Sequence, residues 1–487
     1  MNRIKNTLIQ IHKLTGSFIS LLFLMWFLTG FVLIFVGFPH ASRQERFEHL
    51  EVLTNNDFKN IKAFPAAKGK VSLEKYQDQL VYRVYNGRRG QKVYDAKTLD
   101  HLSSFSQSQA RYEAERFTGH TVSHIEEVPE LDSWIPWHYY KPLLPFYKCY
   151  IDDAAHTVVY VSSVSGTIIQ ETNRQSRWWA RLGAIPHWIY FKQLKSNDEV
   201  WKVVIVILCI IAILACLSGF WVAFYRVKRD ENNRPVKLTV YKKWDYRWHH
   251  LLGWFLALLM TSFALSGIFY TTGVPSWLSA KPAGRSSMSQ WNTTTQADSL
   301  IHPTTVWQQL PKKAGVRKLM PSSAMKQAVV NVFYDDYRRA ETYQIIKHDS
   351  IAPFAINKTA VQGFAKQFFP DEEVNVSVQT NYDTYYELNG MFHHPLPVYR
   401  IDVHNDFETS LFIDPTTGKA VEYINTNKRA RRWLTKALHK FEFPILEKHD
   451  WLRKTLLILV LLIGTFMCVT SVVLSYKWLR RVVRKVS

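Results

Sequence analysis

His12–Phe35 reads HKLTGSFISLLFLMWFLTGFVLIF, and this stretch decides the fold. A histidine heads it, Gly16 follows four residues on, and Thr29-Gly30 lies near the far end of an apolar run. Residues 14–36 are long enough to cross ~30 Å of hydrocarbon as a helix. They are too long for the apolar core of a signal peptide, and no A-x-A-like site follows, so an uncleaved transmembrane helix is expected. Residues 203–225, 249–271 and 455–476 form three more such runs. The chain of 487 residues then divides into a terminus 1–13, a polar region 37–202, a basic loop 226–248, a second polar region 272–454 and a tail 477–487.

The net charge of +21 invites a nucleic-acid partner, but its placement argues against one. Residues 1–13, 226–248 and 477–487 carry 16 basic residues against Asp230, Glu231 and Asp245. All three segments fall on one side if every run crosses once. The positive-inside rule puts them, and both termini, in the cytoplasm. The polar regions then face outward. Of the four cysteines, only Cys149 lies outside the spans, so no disulfide framework is available. The sequence holds no CxxCH, GxGxxG, P-loop, GxSxG or HExxH, so neither a covalent c-type haem nor an NAD or flavin module of its own is expected.

The run repeats. His12 aligns with His249 at an offset of 237, the difference between 249 and 12, and Thr29-Gly30 aligns with Ser266-Gly267 at the same offset. Further on the offset becomes 252, matching Pro145 with Pro397, Gly166 with Gly418, Asn173 with Asn425, Arg177 with Arg429, His187 with His439 and Asp198 with Asp450. The expected unit is span, outward domain, histidine, span, used twice and related by a pseudo-twofold along the membrane normal. The polar regions read as α+β. VYRVYNGRRGQKVYDAKT alternates about Asn-Gly, TVVYVSSVSGTIIQE and SLFIDPTTGKAVEYI each form two short strands about a glycine turn, and FAKQFFP ends a helix.

An ionisable residue at a membrane helix is a candidate functional group. His12 and His249 head outward-going helices, while His187 and His439 precede inward-going ones. Neutral imidazole ligates haem iron well. Pairing like with like gives two bis-His haems, one near each face, with no open iron position for oxygen. Gly16 and Gly253 share a helical face with the inner histidines and leave room for a flat macrocycle, although close helix packing explains them as well. His250, next to His249, is an alternative inner ligand. Arg177 and Arg429 are candidates to fork onto haem propionates, or else to anchor in lipid phosphate. His393-His394, His120, His124, His138 and His404 lack a third ligand at useful spacing and read as solvated residues. Trp134, Trp137, Trp178, Trp179 and Trp188 read mainly as an interfacial aromatic belt.

Taken together, the histidine-headed spans with Thr-Gly or Ser-Gly near their ends resemble the PepSY-associated transmembrane helix family, and the outward pieces resemble PepSY-type domains. The resemblance implies a membrane α+β fold of four transmembrane helices in tandem duplication with two extracytoplasmic PepSY-like domains. Its four-span form is similar to bacterial inner-membrane ferrisiderophore reductases with two b-type haems. That implies a ferric siderophore as acceptor and a separate electron donor. Two other readings stay open: a non-redox PepSY-type binding or regulatory protein, and an electron-transfer subunit of another oxidoreductase.

Overall fold

The computed structural model describes residues 2–65, 69–86, 90–232, 234–275, 288–292, 301–346, 349–387 and 394–486. The chain forms two compact units. One comprises Met1–Phe38, Ser176–Leu278 and Ala430–Ser487; the other comprises Pro39–Gln175 and Ser279–Arg429.

The first unit is built on four long helices: α1 (Asn2–Phe35), α2 (Asp198–Tyr225), α3 (Trp244–Thr272) and α4 (Asp450–Val486). All four are long and apolar enough to cross a membrane. The shortest has 28 residues, a rise of about 42 Å, so its ends outrun the hydrocarbon. Asn197 caps α2 by accepting the Val200 N–H, and Asp198 and Glu199 sit in the first turn, where the helix dipole favours negative charge. The helices close a ring: α1 packs on α2 and α4, and α3 packs on the same two. Thus α1 and α3 face each other along a diagonal.

Ile19, Phe23, Ala212, Cys216, Leu256, Met260 and Cys468 point inward, while Phe18, Leu21, Ile207, Phe255 and Leu459 are exposed. Both faces are apolar, as lipid gives no hydrophobic drive between helices. Close packing supplies the attraction instead. Phe27 lies so tightly on Gly464 that any β-carbon there would overlap its ring.

The segments leading into α2 and α4 share a detail. The short helix Ala184–Trp188 stops at Ile189 in the left-handed region (φ 53°), and Leu438–Lys440 stops at Phe441 (φ 55°). Left-handed backbone is strained for such side chains and persists only where the surroundings hold it. Trp201 Nε1 donates to the Trp188 carbonyl at 2.9 Å, and Arg453 donates to the Lys440 carbonyl at 3.1 Å. These carbonyls are 252 residues apart, as are Ile189 and Phe441.

Eighteen strands are described: β1 (Lys70–Tyr76), β2 (Gln79–Asn86), β3 (Gly90–Asp95), β4 (His101–Leu102), β5 (Val122–Val128), β6 (Phe146–Ile151), β7 (Val158–Ser162), β8 (Ile168–Thr172), β9 (Lys228–Arg229), β10 (Pro235–Lys237), β11 (Lys318–Ala324), β12 (Gln327–Phe333), β13 (Ala340–Ile346), β14 (Ser350–Pro353), β15 (Glu373–Gln379), β16 (Val398–His404), β17 (Thr409–Ile413) and β18 (Ala420–Ile424). The pair β9–β10 lies in the basic loop. The others build the second unit as sheets β5-β6-β7-β8, β15-β16-β17-β18 and β14-β13-β12-β11-β1-β2-β3-β4.

The sheet β5–β8 packs on helix Gln107–Thr118 through Ala110, Ala114 and Phe117 against Val159 and Val161. The sheet β15–β18 packs on helix Lys358–Phe368 through Val361 and Ala365 against Val376 and Ile401. Gly166 (φ 66°) and Gly418 (φ 65°) turn their last hairpins. Added β-carbons would stand 2.8 Å from Tyr76 and Phe105 in one case and from Ala324 in the other. The expected strand pairs about these glycines are present. Of the Asn86-Gly87 turn, Asn86 ends β2 and Gly87 lies outside the described residues.

The eight-stranded sheet departs from the expected pair of separate domains. Antiparallel pairing of β1 with β11 fuses the two polar regions into one sheet, with Leu73 opposite Leu319 and Glu74 opposite Lys318. Two exposed strand edges are thereby removed. The unit is also narrower than 37–202 plus 272–454, because 176–202 and 430–454 group with the long helices.

At the seam Glu74 pairs with Lys318 at 3.0 Å and with Arg83, which donates to the Ser165 carbonyl. Burial alone raises the Glu74 carboxyl, but Lys318 and Arg83 outweigh it and hold the group at about 2. A depressed carboxyl contributes stability that is complete above its unfolded value near 4.5 and lost as pH falls towards 2. Glu74→Gln leaves two buried cations unpaired and is expected to cost about 3–5 kcal/mol. Thermal melting of the full chain at pH 7 reads this loss, and the wild-type advantage shrinks in melts below pH 4.5.

Candidate functional site

The four histidines named from the sequence come together as two pairs inside the helix unit. His12 of α1 and His249 of α3 have ring centres 6.0 Å apart, across the bundle diagonal. His187 and His439, from the segments before α2 and α4, have ring centres 6.3 Å apart. A metal ion bonded to two imidazole nitrogens at about 2.0 Å each, with about 1.2 Å more from nitrogen to ring centre, would set those centres about 6.4 Å apart. Both separations suit an ion held between the rings.

The hydrogen bonds fix which nitrogen is available. His12 Nδ1 lies 3.0 Å from the Ala215 carbonyl, which can only accept, so Nδ1 carries the proton. His187 Nδ1 lies 2.9 Å from Thr29 Oγ1, and that hydroxyl already donates to the Met25 carbonyl at 2.8 Å. His439 Nδ1 lies 2.8 Å from Ser266 Oγ, which donates to the Phe263 carbonyl at 2.9 Å. His249 Nδ1 meets Ser471 at 3.2 Å and Thr470 at 3.4 Å, and both hydroxyls donate to the Met467 carbonyl. A hydroxyl has one hydrogen. Once that hydrogen serves the helix backbone, its oxygen must accept from the imidazole. All four rings are therefore Nδ1–H tautomers with the lone pair on Nε2. Such outer partners orient metal-binding histidines and raise their basicity.

His250 does not join the inner pair. Its Nε2 lies 3.1 Å from the Ala223 carbonyl, and its ring stands edge-on to Tyr241. His249, the residue in register with His12, is the one that faces it.

The glycines divide by surroundings. Gly16 and Gly253 line a cavity of about 240 Å³ together with His12 and His249. A water needs about 10–15 Å³ of such space, so a ligand of many atoms is accommodated. Nothing lies within 4 Å of a β-carbon built on Gly253, and only His12 Cε1 approaches one on Gly16, at 4.0 Å. Gly219, on α2, was not singled out from the sequence. A β-carbon there would stand 2.6 Å from His12 Cε1.

Arg177 lies in the helix Arg174–Leu182, ahead of His187. Arg429 belongs to the sheet unit, where it donates to the Glu408 carbonyl and to Ser410 Oγ and lies over the Tyr385 ring. Of His393-His394, the first lies outside the described residues. The second is bonded to the Glu387 carbonyl, sits 3.4 Å from Glu422 and stacks on Tyr386. Among the described residues no cluster of three or more His, Cys, Asp or Glu forms a metal site.

A histidine-headed four-helix unit of this kind matches the PepSY-associated TM region family over residues 9–481. The chain belongs to that family. No curated protein matches it. Family membership makes the chain a membrane protein and leaves its chemistry to the residues.

Thr29 and Ser266 are what sequence reasoning passed over. Both stood in the repeated Thr-Gly and Ser-Gly pairs, so the signal was present but unassigned. The partner of His12 is a backbone carbonyl, which no residue type announces. In ligand-free protein, Gly219→Ala is expected to force His12 aside and cost about 1–3 kcal/mol by overpacking. Gly253→Ala meets open space and leaves stability unchanged or slightly raised. Paired melting curves check the contrast.

Proposed function

We propose that this chain is a di-haem transmembrane electron-transfer protein that reduces an acceptor outside the cytoplasm. One observation carries the reading: two pairs of imidazoles at 6.0 and 6.3 Å, with every Nδ1 occupied. Bound haem iron supplies a one-electron Fe(III)/Fe(II) couple. The protein's own part is to hold, orient and enclose.

In this reading His12 and His249 ligate the inner haem, with Gly16 and Gly253 leaving room for its plane. His187 and His439 ligate the outer one. Filling both axial positions favours electron transfer over oxygen binding. Thr29 and Ser266 lie 17 residues beyond His12 and His249, about 25 Å along the helices, so the two pairs sit towards opposite faces of the bilayer. The apolar interior between them keeps water out. The matching offsets, the paired left-handed residues at Ile189 and Phe441 and the like order of sheets β5–β8 and β15–β18 support a tandem duplication with a pseudo-twofold along the membrane normal. The sheet unit is then extracytoplasmic and carries two PepSY-like domains. The termini and the basic loop are cytoplasmic, in a bacterial inner membrane.

Electrons come from a separate donor. The acceptor that the resemblance favours is a ferric siderophore. Its hard oxygen donors hold Fe(III) far better than Fe(II), so reduction releases the metal.

Purified protein is expected to show a b-type spectrum on dithionite reduction. His187→Ala and His439→Ala should each lose about half the haem. Colourless protein from haem-sufficient cells would contradict the reading and favour a non-redox binding protein. In rapid mixing, ferric siderophore should reoxidise the reduced haems faster than buffer. No acceleration would move the acceptor to another oxidoreductase.

A further inference from the structure

Two residues that line the inner cavity, Arg226 and His250, each carry a buried polar atom without a hydrogen-bond partner among the described residues, Nε and Nδ1 respectively. Neither histidine pair needs them. Orphaned buried groups of this kind are rare and call for an occupant. His250 is only 7 % exposed. Its Nε2–H is spent on the Ala223 carbonyl, so Nδ1 is a lone pair awaiting a hydrogen. Arg226 Nε–H is a donor awaiting an oxygen. Tyr241 packs against both, with its ring 5.6 Å from that of His250 and 6.0 Å from the Arg226 guanidinium carbon. The described lining also includes Lys13 and Arg481 and contains no carboxylate. The site is built for an anion with oxygen atoms.

We propose that Arg226 and His250 form a carboxyl-binding site that takes a propionate of the porphyrin held between His12 and His249, an assignment resting on the haem reading above. A carboxylate supplies both missing partners through its oxygens: one accepts from the guanidinium Nε–H, and a water that donates to the other donates its second hydrogen to His250 Nδ1. The charge-assisted fork is the stronger of the two. His250 is then a positioning residue of the inner site rather than a rival ligand. Arg226 does more than mark the cytoplasmic side of the membrane.

The test uses full-length, haem-free protein in detergent, titrated optically with haem and with haem dimethyl ester, whose carboxyls are blocked. Wild type should bind haem at least about tenfold more tightly than the ester. Arg226→Gln should lower haem affinity by about the same factor and leave the ester unchanged. Arg226→Lys, which keeps the charge but not Nε, should recover only part of the difference. An unchanged haem-to-ester ratio in Arg226→Gln would overturn the assignment, as would equal weakening of both porphyrins, which marks a packing role. Arg226-dependent binding of fatty acid or lipid phosphate that leaves haem affinity unchanged would assign the site to lipid and also overturn it. Protein that takes up neither porphyrin would instead overturn the haem reading beneath it.

Discussion

Inside a bilayer a polar group finds no water, so every hydrogen bond it makes must come from the protein. The four imidazoles show what that constraint produces. Each ring has one nitrogen satisfied by a backbone carbonyl or by a Ser or Thr hydroxyl that has already given its hydrogen to its own helix. The arrangement costs the helices little, because Ser and Thr commonly bond the preceding turn. It fixes ring orientation, tautomer and spacing together. The ring of helices, with α1 and α3 kept apart on a diagonal, leaves the width in which two rings can meet.

Much of this was legible in the sequence. Apolar length located the spans, and basic residues at their ends supplied the expected orientation. The 237 and 252 offsets paired His12 with His249 and His187 with His439 before any coordinate. At the inner site the register favoured His249, since His250 aligns with Lys13, but the role of His250 was not legible, as adjacent residues differ by only about 100° around a helix. The structure separates them through Ala223, a carbonyl that could lie on any residue. Gly219 was invisible for a similar reason. Its match at offset 252 is Ser471, so one half accommodates a ring with an absent side chain while the other bonds it with a hydroxyl.

The sheets were foreseen in type but not in assembly. Alternating stretches and glycine turns predicted strands correctly, because those signals are local. The fusion through β1 and β11 is not local. It rests on Glu74 and Arg83 of one hairpin and on the distant Lys318, which look like ordinary surface charges until strand pairing brings them together. A buried ion triad is weak evidence for extra stability. Its effect is to fix register, since a one-residue slip would turn Glu74 to the other face and leave Lys318 without a partner.

Electron paramagnetic resonance of the oxidised protein tests the central claim most directly. Two bis-imidazole sites predict only low-spin ferric signals. His12→Ala and His187→Ala should each remove a different one, and His250→Ala should leave both. High-spin iron alone in the wild type, or a low-spin signal lost with His250→Ala but retained with His249→Ala, would contradict it.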